Sequence, residues 1–199
     1  MKKTILFTLL DQYADWESAY LSTALAEFSM GELDIKTISI STAPIKTIGG
    51  FTTVPDFDLQ TCPDDIYGLM LIGGKSWKST EAKSLLPLIE KAYQQKIVIG
   101  AICGASDFLG AFGFLNEVKH TSNGIDSILS WENNQYNNTD NYINEQSVRD
   151  KNIVTANGTA SLDFAKDVLY ALELFDAQQI EEWYSFHKVG YVEIMKNFS

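Results

Sequence analysis

Cysteine is scarce: the 199 residues hold two, Cys62 and Cys103, too few and too isolated for a disulfide framework. Basic residues are also few. Fifteen Lys and Arg face 26 Asp and Glu, a net charge of −11 at neutral pH. With no positive surplus to neutralise phosphates, neither nucleic acid nor an anionic membrane is expected as a partner. No apolar run exceeds about eight residues, whereas a membrane-spanning helix needs about 20. Met1-Lys2-Lys3 runs directly into the strand-like Thr4–Leu10 with no small-residue cleavage site, so no secretory signal is expected. Two histidines, His120 and His187, are all the chain offers as ready bases near neutral pH. What is present in quantity is hydrophobic: 45% of residues, with 12% aromatic. That is enough to fold a core of its own, and the expectation is a soluble, cytoplasmic protein.

Strand-like apolar runs recur at Thr4–Leu10, Leu33–Ser41, Tyr67–Ile72, Ile97–Cys103 and Asn152–Ala156. Several are hydrophobic almost throughout, as strands covered on both faces should be. Helical patterns lie between them. Trp16–Phe28 follows Asp15 as a candidate cap, and Thr80–Gln94 follows Ser79; Ala105–Phe112 and Ser161–Leu174 complete the set. A repeat of about 30 residues is what βαβ units produce, with a mostly parallel sheet between helical layers. Residues 44–59 carry Gly49-Gly50 between Ile48 and Phe51 and read as a short hairpin. Glu132–Ser147, rich in asparagine, reads as a polar loop. Residues 176–199, with Trp183, Tyr184, Phe186, Tyr191 and Phe198, read as a helical extension packed on the 1–175 domain or on a second subunit.

The most informative stretch is Ile99-Gly100-Ala101-Ile102-Cys103-Gly104-Ala105. A buried strand ends at Cys103 and small residues lead at once into a helix, the geometry of a nucleophile elbow with sulfur in place of a hydroxyl. Ligands of open α/β sheets bind beyond the carboxyl ends of the strands. The helix N-terminus there favours thiolate, so the Cys103 pKa is expected well under the ordinary ~8.5. A second strand ends in Gly73-Gly74, so N–H groups of Gly74 and Gly104 are candidate oxyanion donors. Glu17, just past the first strand, is a candidate partner of the thiol: protonated, it donates to the thiolate, and the two should titrate as a coupled pair. Cys62, in a polar segment before Pro63, reads as structural. Nothing in the sequence calls for a metal or a cofactor.

Taken together, Glu17, Gly73-Gly74, Ala101-Ile102-Cys103-Gly104 and the late Val154-Thr155-Ala156-Asn157-Gly158-Thr159-Ala160 resemble the DJ-1/PfpI family, within the class I glutamine amidotransferase-like superfamily. The resemblance implies a flavodoxin-like three-layer α/β/α sandwich, usually a homodimer, with Cys103 as nucleophile, Glu17 as its acidic partner, and Gly74 and Gly104 as oxyanion donors. It implies a hydrolase or lyase acting on a small carbonyl or amide substrate, glyoxalase- or deglycase-like or amidotransferase-like. The alternatives are a non-catalytic redox or stress-response protein whose Cys103 is oxidised, and a peptidase-like member without its Cys-His dyad. Gly104 stands where peptidase-like members carry a histidine. In Lys119-His120-Thr121-Ser122-Asn123, Asn123 stands where DJ-1-like members carry one, which leaves His120 as the candidate base.

Overall fold

The computed structural model describes residues 2–196, which form eight strands and seven α-helices. In chain order these are β1 (Lys3–Thr8), α1 (Asp15–Ser29), β2 (Leu33–Ile38), β3 (Ile45–Lys46), β4 (Thr52–Thr53) and β5 (Gly68–Leu71). Then come α2 (Leu86–Gln94), β6 (Val98–Ile102), α3 (Gly104–Ala111), α4 (Ile125–Leu129), β7 (Ser147–Asp150) and β8 (Ile153–Ala156). Helices α5 (Ser161–Leu172), α6 (Ala177–Val189) and α7 (Tyr191–Met195) end the described chain, and Phe198 lies outside it.

Six strands form one sheet in the order β2-β1-β5-β6-β8-β7. Every pairing is parallel except β7 with β8. The five parallel strands thus follow the 2-1-3-4-5 order of a flavodoxin-like fold, with one antiparallel strand added at the edge. Alternation along each strand divides the core in two. Ile5, Phe7, Met70, Ile102 and Val154 face one layer, with Leu21 and Leu25 of α1 and Phe164 and Val168 of α5. Leu6, Leu69, Leu71, Ile99 and Ala101 face the other, with Ile89 of α2 and Phe108 of α3. Period-2 alternation between two helical layers is what makes these strands apolar on both sides.

Three sequence expectations are modified. Asp15 is the first helical residue rather than the cap, since its carboxylate accepts the Gly49 N–H at 2.8 Å from the β3–β4 hairpin. The stretch from Glu81 to Leu85 is a 3-10 turn, and the α-helix proper begins at Leu86 with Pro87 in its first turn. Strand β7 was not expected at all: in Ser147–Asp150 only Val148 is buried, so the segment has no apolar run to announce it. Helix α6 packs on the α1 and α5 layer through buried Ile180 and through Trp183, which meets Tyr20 and Phe28 edge-on. Among the described residues, no helix is long and apolar enough to cross a membrane.

Candidate active site

The carboxyl ends of β1, β5, β6 and β8 converge, and the turns that follow them supply one cluster. Cys103 caps α3 with φ 60° and ψ −130°, a backbone conformation that costs a non-glycine residue of order 1–3 kcal/mol. Its neighbours hold it there. The Cys103 N–H donates to Ala156 O at 2.9 Å, and its carbonyl accepts the Ser106 N–H at 3.0 Å. The buried Ser106 hydroxyl bridges the ends of β6 and β8, lying 2.8 Å from Ala101 O and 3.0 Å from Ala156 O. The sulfur is thereby turned out of the sheet over the first turn of α3, whose Gly104 N–H faces it.

Glu17 lies beneath. It is 0% exposed, on the first turns of α1, and its carboxyl faces the Cys103 thiol and the Gly73 N–H, with neither oxygen in a hydrogen bond of ordinary geometry. Glycine is required around this pair. A Cβ at Gly73 would fall on the Glu17 carboxyl and the Cys103 Cβ, and one at Gly158 would sit 2.8 Å from Sγ and 3.3 Å from Glu17 Oε1. Gly74, at φ +150°, turns the chain against Gln12 and Tyr13. The short ladder there uses Ala14 N–H to Gly73 O and Lys75 N–H to Gln12 O, so the Gly74 N–H is left out of it.

The fourth side is Asn123. Its side-chain amide donates to Sγ at 3.3 Å, and its carbonyl oxygen accepts the Gly158 N–H at 2.9 Å. Buried Asp107 anchors this loop from below, accepting the Ser127 hydroxyl at 2.5 Å and facing Ser122 and the Asn123 backbone N–H; burial raises its pKa. Half-exposed Trp16 covers the rim, donating Nε1–H to Gly158 O at 2.9 Å. Trp77 is core instead, 1% exposed, with its Nε1–H on Ile72 O.

Of the residues expected from sequence, Cys103, Glu17, Gly74 and Gly104 meet here and His120 does not. His120 is fully buried in a separate polar cluster, Nδ1 at 2.8 Å from Val118 O and Nε2 at 2.7 Å from the Tyr136 hydroxyl. Both ring nitrogens are engaged, and burial lowers its pKa, which keeps it neutral and structural. Asn123, not His120, reaches the sulfur. Gly158 was part of a recognised motif, but its place against Sγ had no signal in the sequence beyond the Asn157-Gly158-Thr159 turn. Cys62 is far simpler, a half-buried thiol with its S–H toward Pro63 O.

The electrostatics correct one expectation. Burial pushes the Cys103 thiol up to about 11, and the Glu17 carboxylate adds to that; the Asn123 amide and the Gly104 N–H pull the other way. Burial likewise pushes Glu17 up to about 7, against the thiol and the Gly73 N–H. The helix N-terminus alone therefore does not make a free thiolate. Instead, two acids that cannot both ionise cheaply hold a single proton between them over the interval from about 7 to 11. Moving that proton from sulfur to carboxyl removes the repulsion and turns Glu17 into a donor toward the thiolate.

A flavodoxin-like sheet with a strained cysteine at the elbow after its central strand, a sealed glutamate beside it and glycines on either side defines a class of cysteine-centred α/β proteins. The DJ-1/PfpI family model matches residues 3–171, and the chain belongs to that family. Among curated relatives it is 39% identical over 192 residues to the uncharacterized protease YdeA of Bacillus subtilis, covering 96% of this chain and 93% of that protein. It is 33% identical to the uncharacterized protease YoaZ of the same organism, over 88% of this chain and 86% of that one. Among solved structures, the DJ-1 superfamily protein Atu0886 from Agrobacterium tumefaciens superposes with a TM-score of 0.83 at 31% identity, covering 94% of this chain and 98% of that chain. A thiJ/pfpI family protein from Bacillus anthracis gives 0.84 at 32%, covering 94% and 91%.

Proposed function

We propose that the protein is a cysteine-nucleophile enzyme acting on a small carbonyl or amide substrate. The observation that carries this reading is the strained Cys103 with sealed Glu17 within reach of its sulfur. The Glu17 carboxylate takes the thiol proton, and Sγ adds to the carbonyl carbon as the carbonyl electron pair moves onto oxygen. The N–H groups of Gly74 and Gly104 meet that oxyanion, each such donor typically contributing about 3 kcal/mol in the transition state. With an amide, the Glu17 carboxylic acid returns its proton to the leaving nitrogen as the C–N bond breaks. Water then hydrolyses the thioester to an acid and free thiol. With a 2-oxoaldehyde the adduct is a hemithioacetal, whose rearrangement and hydrolysis give a 2-hydroxy acid. The naming of two relatives as proteases supports the amide branch. A homodimer, as the family resemblance implies, in the cytoplasm, as the sequence suggests, belongs to the same reading, and sedimentation equilibrium tests the dimer.

A second reading is favoured by Asn123. A carboxamide donates to sulfur but transfers no proton, so general acid–base work rests on Glu17 alone. The same donor suits an oxidised sulfur, so the alternative is a redox or stress-response protein in which peroxide carries Cys103 to the sulfinic acid. Assay of purified protein against an amide panel and methylglyoxal separates the two. Steady product formation that is lost in Cys103→Ser supports the enzyme. Stoichiometric gain of two oxygens at Cys103 without turnover supports the sensor.

A further inference from the structure

Two adjoining cavities lead away from the residues around Cys103. The nearer, of about 350 Å³, is bounded by Asn123, which donates to the sulfur, by Gly158, where an added Cβ would crowd it, and by Ser122, Asn144, Asn157 and Thr159. Every side chain in that wall is an uncharged amide or hydroxyl. Asn157 and Thr159 brace one another, Asn157 Oδ1 accepting the Thr159 hydroxyl at 2.7 Å, while the Asn144 amide is exposed and unpartnered among the described residues. The second cavity, of about 520 Å³, shares Asn144 and Asn157 with the first and continues past Gln146 to Glu145, Asp163 and Asp167. Its one ammonium, Lys166, is already bridged by Glu181 at 2.8 Å.

We propose that these cavities form one groove for an extended peptide whose residue next to the reacting carbonyl bears an uncharged polar side chain such as asparagine or serine. The inference rests on Cys103 being the nucleophile and names what that nucleophile is shown. An apolar side chain in the nearer cavity would strip water from the Asn144 amide and leave it unpaired, at a cost of about 1–3 kcal/mol, whereas Asn157 is already held by Gln146 and Thr159. A carboxylate would meet no cation in the nearer wall and, in the farther one, only Lys166, already paired with Glu181, beside Glu145, Asp163 and Asp167, in a chain whose charge is −11. A peptide backbone suits the groove's chemistry, because each residue brings an N–H and a C=O to a nearer wall of carboxamides and hydroxyls that continues through Asn144 and Asn157 to Gln146.

The test is the second-order rate of Cys103 inactivation by peptidyl chloromethyl ketones carrying Asn, Leu or Glu beside the warhead, each as a single residue and as a tripeptide. Iodoacetamide, which needs no groove, reports the sulfur itself. The Asn probe should react about tenfold faster than Leu, with Glu slowest, and the tripeptide should outpace the single residue. In Asn144→Leu the Asn-to-Leu ratio should fall several-fold, measured relative to each protein's iodoacetamide rate; among the described residues the Asn144 side chain has no hydrogen-bond partner to lose. Equal rates across the three side chains, a preference for Leu or Glu, or no gain with length overturns the groove while iodoacetamide labelling still upholds the nucleophile. If iodoacetamide fails to label Cys103, the nucleophile fails and the groove with it.

Discussion

Asn123 donates its side-chain amide to Cys103 Sγ at 3.3 Å. Its other end is fixed by the Gly158 N–H at 2.9 Å, so the donor cannot swing away without breaking a second bond. A clamped carboxamide stabilises negative charge on sulfur and pulls the thiol pKa down, against burial and Glu17. It does so without the proton a histidine would bring, and the chemistry of the site follows from that difference.

Asn123→Ala removes this donor and leaves the Gly158 N–H without its acceptor. A hydrogen bond to a charged group contributes about 1.5–3 kcal/mol, so alkylation of Cys103 at pH 8 should slow by about tenfold or more. Iodoacetamide kinetics followed by intact mass measure it. An unchanged rate means that the amide does not act on the sulfur.

The paired proton gives the alkylation rate a distinctive dependence on pH. With Glu17 near 7 and Cys103 near 11, the rate should rise to a shoulder above about pH 7, where the one-proton state includes thiolate beside carboxylic acid. It should then climb again toward 11. In Glu17→Gln the shoulder should vanish and a single rise should remain, its midpoint below 11 because the repelling carboxylate is gone. A single wild-type midpoint near the ordinary ~8.5 would contradict the coupling.

Most of the architecture could be read from the sequence because its strands are buried on both faces. Ile5-Leu6-Phe7 and Ile99-Gly100-Ala101-Ile102 are apolar in both layers, which no edge strand or loop would be. Strand β7 escaped for the opposite reason: its pairing with β8 is made by backbone, and Arg149 faces solvent. The elbow was legible because small residues after a buried strand are a local signal. The sign of the Cys103 shift was not. It depends first on burial of the thiol itself and then on the Glu17 carboxylate sealed beside it at 0% exposure, properties of how α1 and the Gly73 turn close over the pair, and sequence spacing carries no such information. His120 misled for a similar reason, since Val118 and Tyr136 claim its ring from positions that give no sign of doing so.

Glu17 also links stability to pH. Its folded pKa is raised from 4.5 to about 7, so between those values the unfolded chain has lost a proton that the native protein keeps. Protons bound to the native state in excess mean that stability falls as pH rises through this window. The loss approaches about 3 kcal/mol for a shift of this size. Glu17→Gln, which has nothing to ionise, should show a flatter dependence of the urea midpoint on pH between 4.5 and 7. Parallel curves for the two proteins would show that burial of Glu17 carries no such penalty.

Gly158→Ala tests the closeness of the final turn to the sulfur. The added methyl would sit 2.8 Å from Sγ and 3.2 Å from the Cys103 Cβ, tighter than van der Waals contact allows. Either the turn retreats, which pulls the Gly158 N–H from Asn123 and the Gly158 carbonyl from Trp16, or the sulfur is pushed off its rotamer. Overpacking of this kind costs about 1–3 kcal/mol, so the variant should fold with a lowered urea midpoint. Because both escapes disturb the sulfur's surroundings, alkylation should slow by more than the stability loss alone accounts for, and quenching of Trp16 fluorescence by acrylamide should increase. A variant that keeps the wild-type alkylation rate and Trp16 quenching would mean that the 157–159 turn does not crowd the sulfur.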